Sequence, residues 1–358
     1  MRRFAVLVAL AATAAALAAP GGSARPAPTD ATPQRAQASA SAQDWSFAIS
    51  HVADAWSAAP VHAPVLVGVV DSGVNAGDPT LVGAVETGYD FVDGTTGVDP
   101  FGHGTLVADV IGARPSSTAS GVCFWCAILP VRVLGANGVG SDTAIAQGIR
   151  WAADNGARVI NLSIMLSGPD QSVADAVAYA EARGVVVVAA AGNDGSQSPS
   201  YPASLPGVIG VAAVDQNGAL YGWSRSGSWV TVGAPGCVQT AAAPFCGTSA
   251  AAAFVSGVVA LGISARPDAA AADLRNDLLA TATREPDGTP VVDAGAFLHA
   301  LVPAAPAPAA AAAPAVVKAP TKPSTTSTPK RASTRRSRAS ERRAARTVRH
   351  ARLIRRKK

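Results

Sequence analysis

Aromatic residues make up only 5% of the 358-residue chain and charged residues only 15%, and there are just four cysteines and two methionines. So few charges beside 49% hydrophobic residues exclude a chain disordered throughout. Four cysteines are too few for a disulfide scaffold and suit a few staples in a secreted protein. Beyond the first twenty residues no apolar run is unbroken over the roughly 20 residues of a membrane-spanning helix. The stretch from Ala304 to Val317 is interrupted by Pro306, Pro308 and Pro314. Basic residues are scarce over most of the length: residues 45–300 hold 9 Lys+Arg against 21 Asp+Glu. They are concentrated at the end, where residues 330–358 hold 14 Lys+Arg and one Glu. The overall formal charge of +5 describes neither part. It excludes a basic nucleic-acid-binding domain and implies an acidic globular domain with a separate cationic tail.

What is present divides the chain into five parts. Arg2 and Arg3, the apolar run from Phe4 to Ala19 and the small residues up to Ala24 read as a secretory signal over 1–24. Residues 25–44, rich in Pro, Ala, Ser and Gln, are expected to be disordered. A dense region over 45–302 is expected to fold as one domain. A Pro/Ala/Thr/Ser linker covers 303–329, and the basic tail covers 330–358. Inside the domain, continuous apolar runs alternate with helical patterns. Val65–Val70, Ile128–Leu134, Arg158–Leu162, Val185–Ala190 and Val208–Val214 suit strands buried on both faces. Ser141 or Asp142 caps a helix running to about Asn155; Pro169 opens another, which Gly184 closes. The alternation predicts an α/β fold: a doubly wound, mostly parallel sheet with helices on both faces. In such folds chemistry collects at the carboxyl ends of the strands.

Three residues stand at such places. Asp71 ends the first apolar run, His103 precedes the helical run Leu106–Ile111, and Ser249 precedes Ala250–Leu261. Singly, each has an ordinary explanation as a turn former, a packed ring or a helix cap. Together they form a nucleophilic system. A serine hydroxyl needs an adjacent base, and histidine has the pKa to take and return its proton. An aspartate fixes the tautomer, and the helix N-terminus at the serine offers N–H groups to a developing oxyanion.

The order Asp, His, Ser, and the motifs Val69-Val70-Asp71-Ser72-Gly73, Gly102-His103-Gly104-Thr105 and Gly247-Thr248-Ser249, resemble the subtilisin-like serine peptidases, or subtilases. So do Ala191-Gly192-Asn193-Asp194-Gly195, Tyr201-Pro202-Ala203 and the stretch from Gly227 to Gly236. The resemblance covers about residues 43–282. It implies a subtilisin-like fold and a serine endopeptidase, with Asp71 as orienter, His103 as general base and acid, Ser249 as nucleophile and Asn193 as side-chain oxyanion donor. It implies an extended polypeptide substrate pairing with Gly135–Gly140 on one side and Ser163–Ser167 on the other. Gly135, Ser163, Met165 and Ser200 are then substrate-binding candidates. No cofactor-type small molecule is implied.

Several positions depart from the family pattern. Met165 replaces a usual glycine and either crowds the path of substrate backbone or turns into the core. Ser200, also at a usual glycine, adds volume near the primary specificity pocket and favours small or medium apolar side chains before the scissile bond. Asp194 at the rim would tolerate Lys or Arg. Leu106 and Asp109 replace a usual His and Gly, and Ala250-Ala251-Ala252-Ala253-Phe254 follows the nucleophile in place of Met-Ala-Ala-Pro-His. Only a short stretch separates the signal from Gln43-Asp44-Trp45, so the usual folding prodomain is expected to be missing. Gly104–Ala108 and Phe254–Gly257 resemble the mycosins, subtilases associated with type VII secretion. A dedicated processing peptidase and a catalytically weak binding protein are the alternatives.

Two structural disulfides, Cys237–Cys246 and Cys123–Cys126, are favoured among the three pairings that four cysteines allow. Calcium, common in the family, has only the scattered carboxylates Asp78, Asp90, Asp93 and Asp99 to hold it, and no metal site is assigned. The tail is either a solvated arm or an attachment to an anionic cell-surface polymer.

Overall fold

Runs of Val, Ile, Leu and Ala, whose branched side chains suit a pleated surface covered on both sides, form the centre of a nine-stranded sheet. The computed structural model describes residues 45–58, 63–116, 119–285 and 288–302. The signal, linker and basic tail read from the sequence lie outside these residues. The strands are β1 (Leu66–Asp71), β2 (Tyr89–Asp90), β3 (Ala127–Arg132), β4 (Val159–Leu162), β5 (Val186–Ala190), β6 (Ile209–Val214), β7 (Val232–Pro235), β8 (Cys237–Gln239), β9 (Pro244–Cys246), β10 (Thr283–Arg284) and β11 (Pro290–Val291). The helices are α1 (Val52–Ala58), α2 (His103–Gly112), α3 (Asp142–Asp154), α4 (Gln171–Glu181), α5 (Thr248–Ala265), α6 (Ala271–Thr281) and α7 (Ala294–Leu301).

The sheet order is β10-β11-β7-β6-β5-β4-β1-β3-β2. Every pairing in it is parallel except that of β10 with β11. β8 and β9 form a separate antiparallel hairpin. The alternation of side chains along each strand divides the core in two. Val67, Val69, Val186 and Val188 pack with α2, α5 and α7, while Val70, Val187 and Ala189 pack with α3 and α4. Helices therefore cover both faces, as the sequence predicts.

Local chemistry moves some boundaries. Ser141 caps α3 by accepting from Ala144 N–H, as one of the two readings required. The next helix opens on Asp170 rather than Pro169, because the Asp170 carboxylate accepts from Val173 N–H. His103 and Ser249 do not precede their helices but lie inside the first turns of α2 and α5.

Helix α5 is long and apolar enough to cross a membrane by composition, yet nearly all of it is buried at the centre of the fold. The four alanines after Ser249, all fully buried, give its first turns a small packing surface. Phe254 is fully buried and meets Phe47 edge-on, with ring centroids 6.0 Å apart; Phe47 in turn meets Trp56 at 5.5 Å. The departure after the nucleophile is thus absorbed by an aromatic cluster that ties the 45–58 segment onto α5.

Asp109, the other departure, lies on α2 with 4% exposure. Thr80 Oγ1 lies 2.6 Å from Asp78 Oδ1 and 2.5 Å from Asp109 Oδ1. The single Thr80 hydroxyl proton is thus offered to both carboxylates, and Asp78 also accepts from Thr80 N–H. Burial, with the Asp78 charge adding to it, pushes Asp109 up to about 6 from 3.8, against the opposing Thr80 hydrogen bond. A raised folded-state pKa gives stability that is present below pH 3.8 and lost as pH rises through 6. The loss is about 3 kcal/mol. Asp109→Asn, which is close in shape and cannot ionise, is expected to remove this contribution to the slope. Melting curves of both proteins between pH 4 and 8 check this, and parallel profiles would refute it.

Candidate active site

The parallel order brings the ends of β1, β4 and β5 together with the start of α5. Asp71 ends β1 fully buried, and its carboxylate accepts from Ser72 N–H at 2.7 Å. His103 Nδ1 lies 2.8 Å from Asp71 Oδ1 and 3.0 Å from Oδ2. A carboxylate at Nδ1 places the imidazole proton there and presents Nε2 as the basic atom. The imidazole is flanked by Phe245 edge-on, centroids 5.5 Å apart, and by Phe101 at 6.3 Å. Close approach makes this possible: a Cβ on Gly104 would stand 2.1 Å from the Gly73 carbonyl.

Asp99 holds the arrangement from behind. Its carboxylate accepts from Ser72 Oγ, Gly102 N–H, Thr105 N–H and Thr105 Oγ1, all within 2.8 Å. Ser72 Oγ accepts in turn from Gly104 N–H at 3.0 Å. One carboxylate thus pins the turn after β1 to the first turn of α2.

Ser249 is nearly buried, and its hydroxyl donates to the Ser163 carbonyl at 3.4 Å. His103 Nε2 is buried and makes no hydrogen bond. The aspartate–histidine bond is therefore formed while the histidine–serine bond is open. Such bonds are often long before substrate binds. Beneath Ser249 a buried polar chain crosses from α5 to β4. Ser256 Oγ donates to Asn161 Oδ1, Asn161 Nδ2 donates to Ser163 Oγ, and Ser163 Oγ donates to the Ser249 carbonyl, at 3.0, 2.8 and 3.1 Å.

Asn193 follows β5. Its amide oxygen accepts from Thr248 N–H and Thr248 Oγ1, each at 2.9 Å, and Thr248 Oγ1 also accepts from Gly192 N–H at 3.0 Å. Thr248, adjacent to the serine, thereby sets which way the amide faces. Gly247 caps α5 at φ 139°, and a Cβ there would lie 3.2 Å from Asn193 Nδ2. Glycine is needed both for that dihedral and for room beside the amide.

Of the other sequence candidates, Gly135 donates its N–H to Val139 and accepts from Gly138 N–H, so its main chain closes its own turn. Met165 is half-buried, with its sulfur beside Gly192 rather than in the core. Ser200 is 2% exposed, and its hydroxyl has no partner. Asp194 is not a free rim carboxylate: Arg225 binds both its oxygens, and these hydrogen bonds hold its carboxyl below the usual range.

The carboxylates considered for calcium are taken by protein donors. Arg132 bridges Asp90 and Asp93, Asp99 is the four-bond hub, and Asp78 binds Thr80. A guanidinium between two aspartates does not fit a further cation, and among the described residues no group of three or more metal-ligating side chains occurs. Both favoured disulfides are formed, Cys123–Cys126 and Cys237–Cys246, the second joining β8 to β9. Phe245 and Arg225 went unassigned in the sequence, Thr248 was quoted only as part of a motif, and Asp99 was named only among the scattered carboxylates.

The subtilase family model matches residues 63–296, which include all four candidate catalytic residues. The chain belongs to the subtilase family. Among curated subtilases it is 44% identical over 173 residues to thermitase of Thermoactinomyces vulgaris, covering 48% of this chain and 62% of that one. It is 43% identical over 187 residues to the thermophilic serine proteinase of Bacillus sp. (strain AK1), covering 51% and 46%. The chain thus spans about half to three-fifths of the length of these relatives. Solved subtilase structures with the same architecture include a protease of Pseudoalteromonas arctica (TM-score 0.66, 29% identity, 72% of this chain and 97% of that one). MycP1 with its N-terminal propeptide removed gives 0.63 at 32% identity, covering 71% and 96%. The MycP3 protease from the type VII (ESX-3) secretion system gives 0.64 at 28%, covering 83% and 92%. The subtilase fold and the mycosin likeness expected from the motifs are both found.

Proposed function

We propose that the chain is a secreted serine endopeptidase that cleaves polypeptides through an acyl-enzyme. The observation that carries this reading is the buried Asp71–His103 pair, with its basic nitrogen unpartnered, at the carboxyl end of the central strands where α5 presents Ser249. Ser249 Oγ attacks the scissile carbonyl carbon as its proton passes to His103 Nε2. The oxygen of that carbonyl becomes an oxyanion, received by Asn193 Nδ2 and the Ser249 N–H. Collapse breaks the C–N bond, and the departing amine takes the proton from Nε2. Water then repeats the sequence on the acyl-enzyme, freeing the acid and Ser249. No metal or cofactor takes part in these steps.

Secretion is read from the signal-like residues 1–24, and attachment to an anionic surface polymer from the 14 Lys+Arg of residues 330–358. A dedicated processing peptidase is the second reading, favoured by the likeness to MycP1 and MycP3. Clearance of denatured casein distinguishes a broad degrader from a processing enzyme. The central test is covalent labelling by a fluorophosphonate. Labelling of the wild type and none of Ser249→Ala is expected; an unlabelled, folded wild type would refute the reading.

A further inference from the structure

β4 and β5 are parallel neighbours, so the segments that follow them, Ser163–Met165 and Ala191–Asp194, leave the sheet side by side. Ser249 Oγ touches the first segment through the Ser163 carbonyl, and Asn193 belongs to the second. A substrate carbonyl attacked by Ser249 with its oxygen at Asn193 must send the neighbouring side chain, the one before the scissile bond, into the slot between them. That slot is filled by the protein itself. Met165 Sδ and Arg225 Cδ lie 3.0 and 2.9 Å from where a Cβ on Gly192 would stand, and Arg225 Nε lies at 3.2 Å.

Arg225 is fixed along its whole length. Its backbone N–H donates to the Gly192 carbonyl at 2.9 Å. Its Nε donates to Asp194 Oδ1 at 2.7 Å, one terminal nitrogen to Asp194 Oδ2 at 2.6 Å, and the other to the Ser198 carbonyl at 3.4 Å. A two-pronged guanidinium–carboxylate pair is directional and directly neutralises the cation. The arginine side chain is 15% exposed although that of Asp194 is 52% exposed, so the aspartate reaches in from solvent to hold the arginine under the slot.

We propose that Met165 and the Arg225–Asp194 clasp close the primary specificity pocket and restrict cleavage to substrates with Gly, Ala or Ser before the scissile bond. The proposal rests on the reading of Ser249 as nucleophile. A Leu or Phe side chain would have to displace the guanidinium from two charge-assisted hydrogen bonds, whereas a methyl or hydroxymethyl group stops above it. Because Asp194 neutralises the arginine, an acidic side chain gains no attraction. Neutralising Asp194 would release that cation toward the slot.

The test compares kcat/KM on peptides that differ only in the residue before the scissile bond, being Ala, Ser, Leu, Phe, Gln or Glu. The wild type is expected to prefer Ala to Phe by about 30-fold or more, within the range that pocket size alone gives. Arg225→Ser is expected to narrow that ratio to about threefold, with the gain in the Leu and Phe peptides. Asp194→Asn is expected to raise Glu over Gln by about tenfold, an effect weakened by salt. A wild type that cleaves after Phe as well as after Ala overturns the proposal, as does an unchanged ratio in folded Arg225→Ser. Should that variant not fold, Met165→Gly tests the same ratio with the same criterion. Absence of all cleavage together with absence of fluorophosphonate labelling would instead refute the nucleophile reading, a result distinct from a flat profile in a labelled, active enzyme.

Discussion

Replacing His103 with alanine is expected to lower kcat on a cleaved peptide by about 10⁶-fold, the size known for subtilisin, a member of the same family, rather than one derived from this geometry. The structural reason is specific to the arrangement here. His103 Nε2 is buried, makes no hydrogen bond and is the basic atom that Asp71 orients. Ser249 Oγ otherwise faces only the Ser163 carbonyl, which accepts a hydrogen bond and cannot carry the proton away. Single-turnover kinetics on a peptide with Ala before the scissile bond measure the loss. A fall of less than about 10²-fold, the lower end for one general base, would mean that another base serves Ser249.

Asp71→Asn is expected to cost about 10⁴-fold in kcat while leaving the fold intact. Both Asp71 oxygens face His103 Nδ1, Oδ1 at 2.8 Å and Oδ2 at 3.0 Å, and Oδ1 also accepts from Ser72 N–H; in asparagine an amide nitrogen replaces one of these two acceptors. An amide nitrogen donates only. A donor beside Nδ1 favours the imidazole that carries its proton on Nε2, where it bars the transfer from Ser249. The shape is preserved and the tautomer is wrong. A pH–rate profile identifies this cause: activity should recover partly at high pH, where hydroxide can act as base. A variant with wild-type turnover at neutral pH would contradict it.

The central strands were legible because parallel strands covered on both faces must be apolar at every position. Val65–Val70 and Val185–Ala190 show this directly as β1 and β5. The two-residue strands β2, β10 and β11 carry no such signal, since their pairing is set by what the chain brings beside them. The hairpin of β8 and β9 was legible only through the favoured Cys237–Cys246 pairing, its strands being three residues each. Asp71, His103, Asn193 and Ser249 stood out because each sits in a glycine-containing motif at the end of a strand or the start of a helix. Asp99 and Arg225 did not, because an aspartate in a turn and an arginine after a serine look like ordinary surface residues. Ser72 lies 27 residues from Asp99 and Asp194 lies 31 from Arg225, and each of these pairs is joined only by the fold. Met165 shows the same limit: its bulk was noticed, but the fold alone turns its sulfur toward Gly192.

Phe245, which packs edge-on against His103, stands on β9 next to Cys246, and Cys246 is bonded to Cys237 on β8. The support of the imidazole ring therefore has a chemical history. A chain in a reducing compartment carries the same Asp71, His103 and Ser249 without the covalent tie beneath Phe245. The tie is added only where thiols are oxidised, so the redox state of the surroundings is written into the geometry around one histidine.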